Sequence, residues 1–352
     1  MPTYAIWNNK GGVGKSYLSF QVAAEYARIH PKRRVLVIDL CPQANSSSML
    51  LGGMLAGEAF LNQIHYANPR LTISGYVEDR IFSPYVNPRS GARYATSVNA
   101  YNAAIPKNLF LVVGDEQLEI QSSRVSAATS PGPQDAWRIV HIWISDLIQD
   151  ISESWNNEPF TVFIDCNPSF SIYTELALSA SDRLIIPFSA DGSSKRAVRA
   201  VLALIFGVTR QPGQQQSEYF INSQRFRMSF PALYMYVGNR LTQANQTSAA
   251  AFKSVVNEIG DEIFAVWGAN SKLFCIHPFG APIPAGKRAF KGMFQYEVND
   301  ANTASVVSST CGIPISGLTS GAKIVLGKTV IVNQTQLDKQ VPNIQALAAA
   351  IE

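Results

Sequence analysis

A glycine-rich segment near the start of the chain has the residue types of a phosphate-binding loop. It runs Lys10-Gly-Gly-Val-Gly-Lys15-Ser16, between a short apolar run and a helical pattern. Successive backbone N–H groups in such a loop, together with the N-terminus of the next helix, bind phosphate oxygens. The lysine pairs with β- and γ-phosphates, and the serine hydroxyl helps to hold Mg²⁺. The segment therefore predicts a nucleotide site, although Asn9 replaces the first glycine of the strict G-x-x-x-x-G-K-[ST] pattern.

Two further apolar runs each end in an aspartate. They are Arg34–Asp39 and Phe160–Asp165, and uninterrupted apolar character is typical of parallel strands buried on both faces. Each aspartate alone has a plainer interpretation as a helix cap. Together with Ser16 and the loop, however, Asp39 and Asp165 favour a site for Mg²⁺ and a nucleotide.

Apolar runs and helical patterns alternate along the chain. The predicted strands are Thr3–Asn8, Arg34–Asp39, Phe160–Asp165, Arg183–Pro187, Ala232–Val237 and, less clearly, Leu273–His277. The predicted helices are Lys15–Ile29, Asp135–Trp155, Ser193–Val208, Thr242–Ile259 and Val341–Ile351. This alternation predicts an α/β fold in which helices flank a parallel, doubly wound sheet.

Two segments fit the alternation poorly. Residues 52–106 are rich in Asn, Pro, Ser, Gly and Tyr, and we interpret them as an insertion or a lid over the strand ends, with disorder as the alternative. Residues 211–227 are interpreted as a surface excursion. We find no internal repeat and expect one domain over residues 1–352.

Composition excludes several classes of protein. Of the 352 residues 47% are hydrophobic, which is enough for a large core, but no apolar run approaches the roughly 18 to 20 residues of a membrane span. The four cysteines form no C-x-x-C pair, so neither a zinc site nor a disulfide framework is indicated. The start of the chain has no signal-peptide pattern, and we therefore expect a cytoplasmic protein.

The loop resembles a known family. Asn8-Asn-Lys-Gly-Gly-Val-Gly-Lys-Ser16 is similar to the deviant Walker A loop of the ParA/MinD superfamily of P-loop ATPases, in its ParA-like branch. The resemblance implies ATP and Mg²⁺ as cofactors, and a nucleotide bound by the stretch Gly11, Gly12, Val13, Gly14, Lys15, Ser16 and Tyr17. It also identifies Lys10 as the signature lysine, which reaches the phosphates of the other subunit in an ATP-sandwich homodimer. A lysine supplied by a partner is a reasonable way to stabilise phosphoryl transfer.

The segment after the second predicted strand departs from the family pattern. Asp39-Leu-Cys-Pro-Gln43-Ala-Asn45 resembles the D-x-D-P-Q-G-N switch, with Asp39 at the first acid. Cys41 stands at the second, catalytic acid, and Ala44 replaces the glycine. Because a neutral thiol cannot act as a carboxylate does, we expect hydrolysis to be slow, to use another group, or to be absent.

Other matches are looser. The segment around Asp165 resembles the Walker B and switch II region, with Asn167 in place of a usual proline. Asn239 follows an apolar strand at the family's adenine-side segment, where the resemblance implies a bond to the base. Pro278 lies where the family closes the base pocket, and Asn108–Asp115 resembles a strand and turn of ParA-like chains.

The resemblance implies a function, and the sequence leaves its target open. We expect a ParA-like ATPase that positions DNA or another cargo through ATP-dependent dimerisation, non-specific DNA binding and hydrolysis stimulated by a partner protein. The alternative is a weakly hydrolysing or non-hydrolysing dimer switch that recruits a protein. A formal net charge of +4 permits contact with nucleic acid. Three basic clusters are candidates for phosphate contacts, with ordinary solvated surface as the plainer interpretation: Lys195 with Arg196 and Arg199, Arg225 with Arg227, and Lys287 with Arg288 and Lys291. A metabolic enzyme is disfavoured because residues 52–106 contain no catalytic constellation.

Overall fold

A mostly parallel β-sheet carries the glycine-rich loop at its centre. The computed structural model describes residues 1–130, 132–209, 211, 213–241 and 246–352, and in this part of the chain eight strands form the sheet. In chain order they are β1 (Thr3–Ile6), β2 (Arg34–Asp39), β3 (Ala95–Ser97), β4 (Leu109–Val112), β5 (Phe160–Asp165), β6 (Arg183–Phe188), β7 (Ala232–Leu241) and β8 (Gln295–Asn299). Their spatial order is β3-β4-β2-β5-β1-β6-β7-β8. Every neighbouring pair is parallel except β3 with β4, and the predicted fold class is confirmed.

Helices cover both faces of this sheet. They are α1 (Lys15–Ile29), α2 (Asn45–Leu50), α3 (Gly53–His65), α4 (Ile73–Phe82), α5 (Gln117–Ala128), α6 (Ala136–His141), α7 (Trp143–Ser154), α8 (Ile172–Ser179), α9 (Ser194–Phe206), α10 (Glu218–Arg225), α11 (Gln246–Ala269), α12 (Lys287–Phe294), α13 (Thr303–Cys311) and α14 (Gln334–Ala349). Alternate side chains of β2 show the layering, since Leu36 packs with the apolar residues of α7 and α8, and Val37 packs with those of α1 and α14. The two cores explain why the strands are apolar without interruption.

Several predicted elements have different limits in the structure. The predicted strand Leu273–His277 is wrong, because Ser271–Leu273 forms a single helical turn and only Phe274 pairs, through an isolated bridge to Leu233. The predicted helix Asp135–Trp155 consists of two helices, α6 and α7. The helix predicted from Thr242 begins, within the described residues, at Gln246 and continues to Ala269; residues 242–245 lie outside the described part.

Residues 52–106 are folded against the rest of the chain. They contain α3 and α4, and β3 extends the sheet at its edge. A side chain at Gly53 would lie 2.1 Å from the Thr310 carbonyl oxygen, so the start of α3 packs closely on α13. Whether this segment is an insertion in the family stays a prediction. Residues 213–227 include α10, and a hairpin of β9 (Gly321–Val325) and β10 (Lys328–Val332) lies outside the main sheet.

None of the described helices combines the length and the apolar character needed to cross a membrane.

Candidate phosphate-binding site

The glycine-rich loop connects the central strand β1 to the N-terminus of α1. Gly12 and Gly14 have φ values of 75° and 77°, in the left-handed region that favours glycine. The N–H groups of Gly11, Gly12 and Gly14 donate no hydrogen bond to any described residue, and a side chain at Gly11 or Gly12 would meet no atom within 4 Å. The loop therefore presents free donors around an open space at a helix N-terminus, which suits an anion.

Lys15 is folded back onto this loop. Its side chain is buried, and Nζ donates to the carbonyl oxygens of Lys10 at 2.9 Å and Asn8 at 3.4 Å. Burial lowers the pKa of Lys15, and the Asp165 carboxylate opposes that effect. The ammonium group is thus held beside the loop by neutral carbonyl acceptors. Anionic phosphate oxygens would replace these acceptors favourably, because a hydrogen bond between two charged groups is stronger.

The two predicted aspartates lie side by side below the loop. Asp39 and Asp165 are direct register partners at the carboxyl ends of β2 and β5, and both are fully buried. Burial raises the pKa of each, and for Asp165 the pKa reaches about 7, with the neighbouring Asp39 charge as the second cause. Nearby hydroxyls of Ser16 and Ser46 lower the pKa of Asp165 again.

The two carboxylates differ in their hydrogen bonds. Asp39 Oδ1 accepts from the Cys41 N–H at 3.1 Å, and Oδ2 accepts from the Ser47 N–H at 3.0 Å and the Ser47 hydroxyl at 2.7 Å. Neither oxygen of Asp165 has a hydrogen bond of regular geometry with a described residue, and the Ser46 hydroxyl is also buried and unpaired. Asp39 therefore fixes the start of the switch segment, while Asp165 retains unused capacity to bind a cation or its water ligands.

Gly114 was not found by sequence reasoning, yet it makes room for this pair. A side chain there would lie 2.8 Å from the Asp39 carboxyl carbon. Its N–H donates to the Ser47 hydroxyl at 2.8 Å, and that hydroxyl donates in turn to Asp39. The only sequence signal is that Gly114 lies within the Asn108–Asp115 run, which resembles a strand and turn.

Cys41 lies at the mouth of the same site and is 4% exposed. Burial, together with the charges of Asp39 and Asp165, raises the pKa of its thiol to about 12. The thiol is therefore neutral at physiological pH and cannot accept a proton as a carboxylate would.

A cleft of about 570 Å³ opens above these groups, a volume typical of ligand pockets. It is lined by Gly11, Gly12, Gly14, Lys15, Ser16, Tyr17, Cys41, Gln43, Asn45, Ser48, Met49, Met54, Glu58, Cys166, Pro168 and Ser309. The structure thus brings the loop glycines, Lys15, Ser16, Tyr17 and Cys41 to one cleft, and their binding of a nucleotide stays a prediction. Among these lining residues Glu58, on α3, is the only carboxylate, and sequence reasoning did not single it out.

Lys10 does not point into the cleft. Its ammonium group forms an ion pair with Asp191 and donates to the hydroxyls of Ser189 at 3.1 Å and Ser194 at 3.3 Å. Ser189 and Asp191 belong to the turn between β6 and α9, and Ser194 begins α9. Burial alone would raise the pKa of Asp191, but hydrogen bonds from Lys10, Ser189 and Ser193 together outweigh it and hold that pKa well below its usual range. Lys10 is therefore bound to its own chain in this conformation, and its predicted role as the signature lysine stays a prediction.

Asn239 supports the loop from below. Its side-chain amide donates to the Val13 carbonyl at 2.9 Å and the Gly14 carbonyl at 3.3 Å. Val13 and Asn239 are both buried. Tyr17 also anchors this region, because its hydroxyl donates to Gln340 of α14 at 2.8 Å. These contacts position the loop, and a bond from Asn239 to a base stays a prediction.

Pro278 lies elsewhere. The N–H of the next residue, Phe279, bonds to the Glu352 carboxylate, which also pairs with Arg183 at 3.1 Å. Arg183 begins β6, so this turn lies at the amino edge of the sheet, whereas the loop leaves the carboxyl edge. The structure therefore does not bring Pro278 to the predicted base pocket.

Comparison with known proteins shows the family of this chain. A family model described as AAA domain (AAA_31) matches residues 1–216. The chain belongs to the AAA_31 family. The predicted membership of the ParA/MinD-like P-loop ATPase superfamily is confirmed. The AAA_31 match contains the loop, both aspartates, Cys41 and the Lys10–Asp191 pair, and it ends before Asn239.

Individual relatives are distant. An uncharacterised protein of Pseudomonas putida is 24% identical over 296 residues, which cover 83% of this chain and 90% of that protein. Apo McdA from Cyanothece has a TM-score of 0.57 at 13% identity and covers 99% of both chains. An ATP complex of a Cyanothece McdA variant has a TM-score of 0.58 at 14% identity, over 100% of this chain and 98% of that one. At these identities the structural likeness shows the fold of this AAA_31 chain.

Proposed function

We propose that this chain is a ParA-like ATP-binding protein that forms an ATP-sandwich dimer and positions DNA or another cargo. Non-specific DNA binding and partner-stimulated hydrolysis complete the proposed cycle. The observation that carries the proposal is the cleft itself. There Lys15 and loop N–H groups that donate to no described residue lie above the buried Asp165, whose oxygens form no hydrogen bond of regular geometry with a described residue. The McdA complex with ATP has the same fold, which supports ATP as the ligand.

The residues present fit a nucleotide with a metal ion. The N–H groups of Gly11, Gly12 and Gly14 would hold phosphate oxygens, and Lys15 would pair with the terminal phosphates. Ser16 and Asp165 would hold Mg²⁺ or its waters, with Asp39 behind them in the same buried group. When bound, Mg²⁺ supplies positive charge that offsets the phosphate charge and the repulsion between the two aspartates.

Dimerisation would require Lys10 to leave its own chain. The side chain is held by Asp191 and two hydroxyls on the β6–α9 turn, and it is partly exposed. An exposed ion pair contributes about 0.2–1 kcal/mol, so a new contact with a partner's phosphates replaces it at little cost. This arrangement makes Lys10 available to a second ATP-bound copy.

A second candidate function follows from Cys41. Because its thiol has a pKa of about 12, the family's catalytic acid position holds no base, and a switch that binds ATP but hydrolyses it slowly or not at all is favoured by this residue. The output of such a switch is recruitment of a protein partner. Glu58, the one carboxylate lining the cleft, is the group that would otherwise serve in hydrolysis.

The two candidates give different results in one set of assays. The leading proposal expects ATP-dependent retention on DNA that weakens with salt and is lost in Lys15→Ala. Salt-independent retention, or none with ATP, contradicts it. Phosphate release by the wild-type chain, measured beside Cys41→Asp and Glu58→Gln, then separates an ATPase from a non-hydrolysing switch.

A further inference from the structure

A group of basic side chains lies at the opposite end of the sheet from the glycine-rich loop. It occupies the amino ends of three adjacent strands, β4, β2 and β5, and the carboxyl end of α1. A groove of about 490 Å³ there is lined by Ala27, Arg28, Pro31, Lys32, Arg33, Arg34, Pro106, Lys107, Asn108, Phe110 and Glu158. We call Arg28, Lys32, Arg33, Arg34 and Lys107 the basic groove.

The backbone beneath these side chains is held in place. The Asn108 side-chain amide donates to the carbonyl oxygens of Ala27 at 3.0 Å, His30 at 3.0 Å and Arg33 at 2.7 Å. One amide thus fixes both the end of α1 and the turn that leads into β2. The basic side chains are therefore presented from a pre-organised loop, which reduces the entropy lost on binding.

The charge of the groove is only partly neutralised. Arg28 forms a bidentate pair with Glu25, and Arg34 lies 3.5 Å from Glu158. Within the part of the chain that the structure describes, the Arg33 guanidinium donates only to neutral groups, the Thr161 hydroxyl at 2.8 Å and the Phe160 carbonyl at 3.4 Å.

The two lysines of the groove add to this excess. Lys32 and Lys107 are exposed and form no ion pair with any described residue. Five cations less two acids leave a formal charge of +3 in this patch, compared with +4 for the whole chain.

Two of the three basic clusters predicted from sequence are different in this respect. The third, Arg225 with Arg227, is exposed and forms no ion pair with a described residue, but it contains only two cations. Lys195 and Arg199 of α9 pair with Glu258 and Glu262 of α11. Lys287 and Lys291 of α12 both pair with Asp261, which also lies on α11. These pairs reduce the charge that either cluster presents to a polyanion, and the sequence pattern did not reveal them.

Helix electrostatics explain only part of the basic groove. A cation in the last turn of a helix interacts favourably with the helix dipole, which accounts for Arg28. Lys107, however, lies on a different connection, before β4, and Lys32 lies beyond the end of α1. Three separate segments therefore bring cations to one surface.

We propose that the basic groove binds the phosphodiester backbone of DNA without sequence specificity. The proposal rests on the proposed function and assigns the surface through which DNA is held. Unpaired lysines and a guanidinium that has only neutral partners suit phosphate oxygens.

This position also explains how ATP controls binding at a distance. The groove lies at the amino ends of the strands and the nucleotide cleft at their carboxyl ends, so nucleotide binding need not alter the groove. In an ATP-sandwich dimer the two clefts face each other, so the two grooves lie at opposite outer ends of the particle and bind two separate segments of a long DNA. Once one segment is bound, the other binds at a raised effective concentration. A monomer binds weakly through one groove, and the ATP-bound dimer binds tightly through two.

The test uses the full chain and a double-stranded DNA of mixed sequence, with Mg²⁺ and ATP, over a series of salt concentrations. The variant is Lys32→Ala with Lys107→Ala. The control is Lys328→Ala with Lys339→Ala, which removes the same charge from two other exposed lysines. Light scattering with ATP shows that each variant still forms the dimer.

The expected effect follows from counterion release. Each lost phosphate contact lowers the magnitude of the slope of log affinity against log salt by about 0.9. If the contact contributes nothing at 1 M salt, its loss lowers the affinity at 0.1 M salt by about eightfold. Two lost contacts should therefore reduce the slope by about two and the affinity by roughly 60-fold for each engaged protomer. The control should retain the wild-type slope.

Other outcomes overturn the inference in distinguishable ways. If the wild-type dimer binds DNA and the Lys32/Lys107 variant keeps its slope and affinity, the surface is misassigned while DNA binding stands. If the wild-type protein with ATP binds no DNA, the proposed function fails as well. Binding to vesicles of anionic phospholipid through the same lysines, without DNA binding, would assign the groove to a membrane surface instead.

Discussion

The buried aspartate pair offers a quantitative prediction for Asp165→Asn in the nucleotide-free protein. Burial and the adjacent Asp39 raise the pKa of Asp165 from its usual 3.8 to about 7. A tenfold change in proton affinity corresponds to about 1.4 kcal/mol, so ionising Asp165 in the folded state costs about 4 kcal/mol more than in the unfolded chain. This group is fully buried, so solvent screening does not reduce that figure greatly.

The sign of the pH dependence follows from linkage. Between pH 4 and pH 7 the folded state binds a proton at Asp165 that the unfolded chain has released, so the free energy of unfolding falls as the pH rises. Above pH 7 the full cost is present. Asp165→Asn removes it, and the variant should be more stable than the wild type by about 4 kcal/mol at pH 8, with the advantage vanishing below about pH 4.

Urea unfolding from pH 4 to pH 8, with a metal chelator and no nucleotide, measures this difference. Asp338→Asn, at an exposed helical position, controls for the loss of one negative charge. The same Asp165→Asn protein should lose the Mg²⁺-dependent part of the thermal stabilisation by ATP. Parallel pH profiles for wild type and variant, or a variant that is less stable at pH 8, would refute the account of the buried pair.

Three further substitutions test neighbouring features. Cys41→Asp should raise the rate of phosphate release, because a carboxylate replaces a thiol that is neutral at pH 7; a rate no higher than that of Cys41→Asn contradicts this. Asp191→Asn should lower the dissociation constant of the ATP-bound dimer by roughly 2- to 30-fold, because the Lys10–Asp191 ion pair of each subunit, worth about 0.2–1 kcal/mol, no longer opposes dimerisation. An unchanged dissociation constant in sedimentation argues against it. Gly114→Ala should lower the free energy of unfolding in urea by about 1–3 kcal/mol, because its methyl group would lie 2.8 Å from the Asp39 carboxyl carbon. The control Gly292→Ala has open space around the added methyl group and should not lower it.

The sequence predicted the centre of this site well because its signals are local. The strands β2 and β5 and the helix α1 have the predicted limits, since an apolar run ending in an acid and a helical spacing are both encoded by neighbouring residues. Parallel strands then bring their carboxyl ends to one edge, and Asp39 meets Asp165.

Features that depend on distant parts of the chain were not predictable in this way. Asp191 is far from Lys10 in sequence, and nothing in either local pattern pairs them. The apolar run at Leu273–His277 predicts a strand, but Phe274 instead packs against the rings of Trp267 and Phe290. An apolar run is thus buried equally well as a strand in a sheet or as part of a side-chain cluster. The sequence alone does not distinguish these two arrangements.

The central claim is an ATP-gated dimer in which Lys10 acts on the nucleotide of the other subunit. Sedimentation of the wild-type chain and of Lys10→Ala, each with and without Mg²⁺ and ATP, tests it most directly, with ATP binding measured in parallel. The account predicts that the wild type changes from monomer to dimer with ATP, while Lys10→Ala binds ATP and stays monomeric. A wild type that remains monomeric at saturating ATP, or a Lys10→Ala chain that dimerises equally well, would contradict it.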